Sequence, residues 1–254
     1  METSSIQWTD ATVNFWVGCK KISEECKFCY MHRMEARYGR DGSIVRKTGK
    51  ATFNAALKWK EPKRIFTCSM SDFFIEEADE WRAEAWDIIR KTPHHTWLIL
   101  TKRPERIKDC LPEDWGDGYP NVWLGTTAGV QRSFKRAEEL AKIPAKVRFI
   151  SAEPILEEMD FLVRDDHGKR IIDAYHWVIL GGESGNDTGK FRYRPSEIEW
   201  YEKAIKDLKT QTDVAVFMKQ LGTHLSKELH FKKDRHGGEI ENWPEHLQIR
   251  EFPV

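Results

Sequence analysis

The sequence predicts an α/β fold built on a mostly parallel sheet, either open or curled toward a barrel. Two observations carry this. Short, near-continuous apolar runs rich in β-branched and aromatic residues recur along the chain, as expected of strands buried on both faces. Between them lie segments whose apolar residues repeat with the helical period, and such alternation is the pattern of parallel β/α units.

The candidate strands, in order, are 12–18 (TVNFWVG), 64–69 (RIFTCS), 96–100 (TWLIL), 121–126 (NVWLGT), 147–151 (VRFIS), 176–181 (HWVILG) and 214–218 (VAVFM). In 77–91, Trp81, Ala85, Ile88 and Ile89 fall on one helical face, and Val130, Phe134, Ala137 and Ala141 do so in 130–142. Pro104 opens a short helix ending by Cys110, a position that tolerates proline. Ser196 to Glu199 reads as a capping box, opening a helix to about Leu208 with Ile198, Tyr201, Ile205 and Leu208 inward. Segment 163–175 reads as an exposed excursion. No tandem repeat or linker interrupts the chain, so a barrel unit over 1–222 is expected, with an extension over 223–254 packed on it.

Charge and composition narrow the function. Lys+Arg and Asp+Glu both number 41, which gives no global pull toward a polyanion. The balance is uneven: residues 1–64 carry 13 basic and 7 acidic side chains, a local +6. Either solvated faces or a positive rim for an anionic ligand would produce it. No apolar run reaches the roughly 18–20 residues of a membrane span, and the N-terminal residues lack a signal-peptide layout. A cytoplasmic protein is expected, whose five cysteines serve metal or redox chemistry rather than disulfides.

In parallel β/α folds the site forms on loops at the carboxyl ends of the strands. The residues there are polar throughout: Cys19 after the first strand, Ser69, Ser71 and Asp72 after the second, Lys102 and Arg103 after the third. Thr126, Glu153, Glu183 and Lys219 follow on later strands.

Cys19, Cys26 and Cys29 form C-x6-C-x2-C, one thiol short of the usual four ligands. His32 would complete a Cys3His zinc site. Cys68 or Cys110 would complete a four-cysteine site, and a metal-free loop is a third reading. The fourth is a [4Fe–4S] cluster on three thiolates with one iron open to S-adenosylmethionine. Phe28, just before the last cysteine, would then pack beside adenine.

The blocks "SIQWTDATVNFWVGCKKISEECKFCY", "CSMSDFF", "LTKRPERI", "PNVWLGTT", "VRFISAEPIL", "WVILGGESG" and "VFMKQLG" occur in that order over residues 5–222. Together they resemble a phage-associated radical-SAM-like family with a C-x6-C-x2-C motif. The first cysteine gap is six where the wider superfamily usually has three, and "CSMSD" stands where that superfamily often has Gly-Gly-Glu. The resemblance implies a partial TIM-like (βα)6-7 barrel, a [4Fe–4S] cluster on Cys19, Cys26 and Cys29, and S-adenosylmethionine cleaved to a 5′-deoxyadenosyl radical.

On that reading Phe28 and Tyr30 line the cluster loop, and Ser69, Ser71 and Asp72 hold the methionine end. Thr126 and Glu153 meet the ribose or carboxylate, and Lys102, Arg103, Glu183 and Lys219 face the substrate. The expected partners are a flavodoxin- or ferredoxin-like reductant and either a nucleobase, nucleotide or nucleic-acid substrate, with exposed tryptophans to stack on a base, or equally a small metabolite. Zero net charge and the lack of a DNA-binding motif argue against tight duplex binding. The alternatives are a non-catalytic iron–sulfur sensor and a zinc-stabilised binding protein.

Overall fold

A computed structural model describes residues 2–254. Seven strands make one sheet: β1 (Ala11–Val13), β4 (Arg64–Thr67), β5 (Thr96–Thr101), β6 (Val122–Thr127), β7 (Val147–Ala152), β8 (Trp177–Gly181) and β9 (Ala215–Gln220). Spatial order equals chain order and every neighbouring pair is parallel. A doubly wound sheet reverses its order at a switch point, whereas an unreversed sequence of crossovers winds one way and curls the sheet. The fold is a half-barrel, a partial TIM-like barrel as expected.

The remaining strands, β2 (Trp16–Val17) and β3 (Arg46–Lys47), form a separate antiparallel pair. The expected 12–18 strand therefore divides. Asn14 side-chain Oδ1 accepts the Met70 N–H at 2.8 Å, its carbonyl accepts Thr48 Oγ1 at 2.9 Å, and the chain leaves the sheet there. The second strand ends at Thr67, two residues early, because Cys68 takes a left-handed φ of 58°.

The helices are α1 (Tyr30–Arg37), α2 (Lys50–Phe53), α3 (Asp79–Lys91), α4 (Ile107–Cys110), α5 (Phe134–Ala141), α6 (Ile198–Gln211) and α7 (Gly222–Glu228). The capping box does not form: Glu197 is the N-cap of α6 without a side-chain bond, and Ser196 Oγ instead accepts the buried Tyr201 hydroxyl at 2.9 Å. Segment 163–175 is exposed at Arg164, Asp173 and its 166–169 tip, while Ile171 and Ile172 are buried in a single 3-10 turn.

The concave side of the sheet is filled by aromatic rings. Phe66, Leu98, Phe149, Trp177, Ile179 and Phe217 meet there around Trp8 from the N-terminal segment. Trp8 lies 4.7 Å from Phe66 on β4 and 6.3 Å from Trp177 on β8, so a single ring spans the curl. Gly125 makes room for this packing, because a Cβ there would sit 2.2 Å from the Phe149 ring. Phe252 packs tilted 5.3 Å from Trp177 while the Arg64 guanidinium lies 3.9 Å over the Phe252 ring, tying the two sides of the half-barrel at the strands' N-terminal ends. Residues 249–251 also run antiparallel along β9, with Met218 N–H donating to the Ile249 carbonyl at 2.8 Å and Glu251 N–H to Val216 at 2.9 Å, which covers that edge.

At the start of the sheet Asp10 accepts Arg64 N–H at 2.8 Å and Arg64 Nη2 at 3.0 Å. Burial pushes the Asp10 carboxyl up, but the Arg64 bonds and the charges of Arg64 and Lys63 outweigh it and hold the group below its ordinary value. A folded value below the unfolded one means stability that is present above the unfolded value of about 3.9 and is lost as pH falls through the folded value. Asp10→Asn should therefore lower the urea midpoint at neutral pH, with the gap to the parent closing in acid. A gap of constant size across that range would contradict the assignment.

Candidate functional site

Strand alternation assigns the residues at the barrel mouth. Phe149 and Phe217 point inward; a step of two leads to Ser151 on β7, Glu153 follows just past that strand, and Lys219 lies where β9 shifts register against β8. The same phase on β5 and β6 runs from Leu98 to Lys102 and from Gly125 to Thr127. Lys219 Nζ reaches Glu153 Oε1 at 3.0 Å across β8, and Gly181 clears the way, since a Cβ there would lie 2.6 Å from that oxygen. Oε1 is thereby paired with the ammonium, and Ser151 Oγ donates to Oε2 at 3.2 Å. Thr127 Oγ1 is buried without a partner. One polar atom at the mouth is thus left unsatisfied, the condition expected where a polar ligand completes a site.

Over this mouth lies the cysteine loop. Gly18, at φ 101°, donates its N–H to Met70 and passes so close to Ile44 that a Cβ would lie 2.2 Å from the Ile44 carbonyl oxygen. Cys19 N–H donates to the Gly42 carbonyl at 2.8 Å. Cys26 closes a 3-10 turn, its sulfur 3.4 Å from Ser23 Oγ, and Cys29 is the N-cap of α1. The loop is pinned by Glu25, which accepts Arg136 Nη1 at 3.1 Å and the Gly129 N–H at 3.3 Å. Burial opposes ionisation of Glu25, yet hydrogen bonds from Ser133 and Ser23 and the Arg136 charge bring its pKa down to about 2.

Beneath the loop, Arg103 Nη1 sits 3.8 Å from Cys19 Sγ and 3.2 Å from Asp72 Oδ2, and Arg103 Nη2 donates to the Lys20 carbonyl at 2.9 Å. Burial, with the Asp72 charge, pushes the Cys19 thiol up to about 11 against the pull of Arg103. Cys26 goes the other way: burial raises it, but the Lys102 charge, the Ser23 hydroxyl and nearby backbone N–H groups hold it below its ordinary value.

Several expected ligand-holders are committed elsewhere. Asp72 accepts bonds from Thr101 Oγ1 (2.7 Å), Lys102 N (2.9 Å), Phe74 N (2.9 Å) and Arg103, so it braces the strand ends. Ser69 Oγ bonds Asn14, and Ser71 Oγ donates to the Gly18 carbonyl. Thr126 faces away from the lumen and donates to the Thr101 carbonyl at 3.0 Å, leaving Thr127 as the threonine at the mouth. Glu183 is buried and takes Arg194 through its backbone N–H (2.8 Å), Nε (2.9 Å) and Nη2 (2.6 Å). Arg194 continues to the Glu24 carbonyl and lies 5.3 Å over Phe28, so Glu183 and Phe28 help hold the cysteine loop. The Tyr30 hydroxyl donates to the Ser69 carbonyl. Lys102 and Lys219 remain at the mouth. Asn14 and Arg194 were not singled out from the sequence, and Thr127 was read only beside Thr126 as a polar residue ending its strand.

Among the described residues, no group of three or more His, Cys, Asp and Glu is placed to hold a metal ion. Thiolates on one zinc converge to about 3.8 Å from one another, given Zn–S of about 2.3 Å. Thiolates on separate irons of a cluster have no such common point. His32 packs against Gly42, where a Cβ would lie 2.7 Å from Nδ1. Cys68 is fully enclosed, burial pushing its thiol up to about 12, and Cys110 lies on α4 beside Arg106. Three free thiols on one loop, with Arg103 and Lys102 as cationic neighbours, fit a cluster in donor kind and in charge.

One family model matches residues 3–246. The chain belongs to the DUF5131 family. Its description reads protein of unknown function. No curated protein and no solved structure matches the chain. In this DUF5131 chain no helix among the described residues is long and apolar enough to cross a membrane.

Proposed function

We propose that this DUF5131 chain is a radical S-adenosylmethionine enzyme whose cluster is held by Cys19, Cys26 and Cys29. The observation that carries the reading is the position of the three thiols, on an anchored loop over the carboxyl-end mouth of a parallel half-barrel. Such a group, when bound and reduced by a flavodoxin- or ferredoxin-like donor, supplies reductive cleavage of S-adenosylmethionine to methionine and a 5′-deoxyadenosyl radical. The chain's own contributions are orientation and exclusion of water. Arg103, braced by Asp72, supplies positive charge beside Cys19. Glu153 and Lys219 place a carboxylate and an ammonium side by side, suited to the amino and carboxylate groups of an amino acid, and Thr127 Oγ1 adds a hydrogen-bonding hydroxyl. The aromatic layer below closes the lumen to solvent.

Anaerobic reconstitution with iron and sulfide tests this. The expected result is a brown protein with about four irons per chain, whose reduced EPR signal changes on adding S-adenosylmethionine and which releases 5′-deoxyadenosine. Cys26→Ala and Cys29→Ala should each lose the cluster while Cys110→Ala keeps it. A colourless protein holding one zinc, or a cluster indifferent to S-adenosylmethionine, would reject the reading in favour of a zinc module or a sensor.

A further inference from the structure

None of the eleven tryptophans is exposed, which removes the stacking platform expected from the sequence. The exposed apolar surface lies elsewhere. Of the eight exposed large hydrophobic side chains among the described residues, five fall between residues 22 and 44: Ile22, Tyr30, Met34, Tyr38 and Ile44. Tyr30, Met34 and Tyr38 stand at i, i+4 and i+8 along α1 and its C-cap, 42%, 40% and 70% exposed, and so form one stripe.

Cations without carboxylate partners flank the stripe. Among the described residues Lys27, Arg33, Arg37 and Arg40 make no ion pair, and Arg40 lies 5.5 Å over the Tyr38 ring. The nearby Asp41 is taken by Ser43, and Glu35 is buried against Arg46. Burial and the like charges of Arg37 and Arg235 hold the Arg33 guanidinium below its ordinary value, so these cations are crowded without neutralisation. Burial and the charges of Arg235, Arg33 and Lys219 hold the His236 imidazole below its ordinary value, against the pull of Asp234. Arg33 and Arg235 thus gather on one side of His236, with the Asp234 carboxylate also beside it and Lys219, paired to Glu153, on the mouth side.

We propose that single-stranded nucleic acid binds along this stripe, with bases stacked on Tyr38 and Tyr30 and phosphates on Arg33, Arg37 and Arg235, and feeds a base toward the barrel mouth. Alternating aromatic rings and cations are the chemistry that binds unpaired strands, whose bases present free π-faces. A protein reductant would use the outer cations but has no need of exposed rings interleaved with them, as Tyr38 and Arg40 are. The proposal deepens the reading above by naming the substrate class of the same mouth.

The test is fluorescence anisotropy of labelled oligothymidylate on the full chain, with and without the reconstituted cluster. Binding should weaken with a log–log salt slope of about −0.7 per phosphate contacted. The double variant Arg33→Ala/Arg37→Ala should lose about tenfold or more in affinity, and Tyr38→Ala about fivefold or more. These side chains are surface-exposed or half-buried, and circular dichroism of each variant confirms folding. Absence of binding at low salt, or binding indifferent to all three substitutions, overturns the proposal. So does tight capture of an acidic flavodoxin by the same residues when the oligonucleotide is ignored, or equal affinity for thymidine monophosphate. Binding that persists in Cys29→Ser supports the strand site even if the cluster reading fails, and a working cluster without oligonucleotide binding rejects the strand site alone.

Discussion

Replacing Trp177 with alanine should destabilise the fold by about 3–5 kcal/mol, the range for a buried aromatic truncated in a core. The upper part of that range is expected because of where the ring sits. Trp177 is fully buried and lies 5.3 to 6.3 Å from the rings of Phe252, Phe149, Phe217, Trp123 and Trp8. Those neighbours come from three other strands and both terminal segments, so no single shift can fill the space. The indole N–H also donates to the Glu251 carbonyl at 2.8 Å, which helps fix the tail against the barrel. Trp177→Phe should cost less, retaining an aromatic filler but losing that bond. Urea unfolding followed by circular dichroism measures both. A loss for alanine below about 1.5 kcal/mol would mean that the interior collapses freely, contrary to a close-packed barrel. Because the ring lies at the end of the barrel opposite the cysteines, iron bound per folded chain should not change.

The strands that build this core were readable because both faces of each are buried, which writes them as continuous apolar runs. The same property hid the orientation of their ends. A run apolar on both faces shows no inside–outside alternation, so the sequence offered no means of choosing between Thr126 and Thr127. The choice rests on Phe149 lying over Gly125, a contact between strands. The first strand was overextended for a related reason. Phe15, Trp16 and Val17 continue the apolar run, but Asn14 bonds to residues 34 and 56 positions away and turns the chain out of the sheet. The cysteine triplet was legible from spacing alone. Its supports were not, because Glu25, Asp72 and Glu183 look like loop carboxylates until the structure brings Arg136, Arg103 and Arg194 against them.

Arg194→Met is the second substitution with a large expected effect, and it separates stability from loop anchoring. Arg194 and Glu183 are both largely buried, and removing one member of a buried hydrogen-bonded pair typically costs about 3–5 kcal/mol, because the other charge is left without compensation. Glu183→Gln in the same chain removes the stranded charge while keeping an acceptor for the Arg194-position backbone N–H, so the double variant should regain most of the loss. Coupling of this kind is the expected signature of direct contact. The double variant does not restore the bond from Arg194 to the Glu24 carbonyl or its stacking over Phe28. The cysteine loop should therefore remain slack in a chain that is otherwise stable, and Cys19, half-buried in the parent, should react faster with a thiol reagent in both the single and double variants. Parent-like thiol reactivity in the double variant would show that Glu25 and Arg136 suffice to hold the loop. A double variant as unstable as the single one would place the energetic role of Arg194 in its packing and its Glu24 bond rather than in neutralising Glu183.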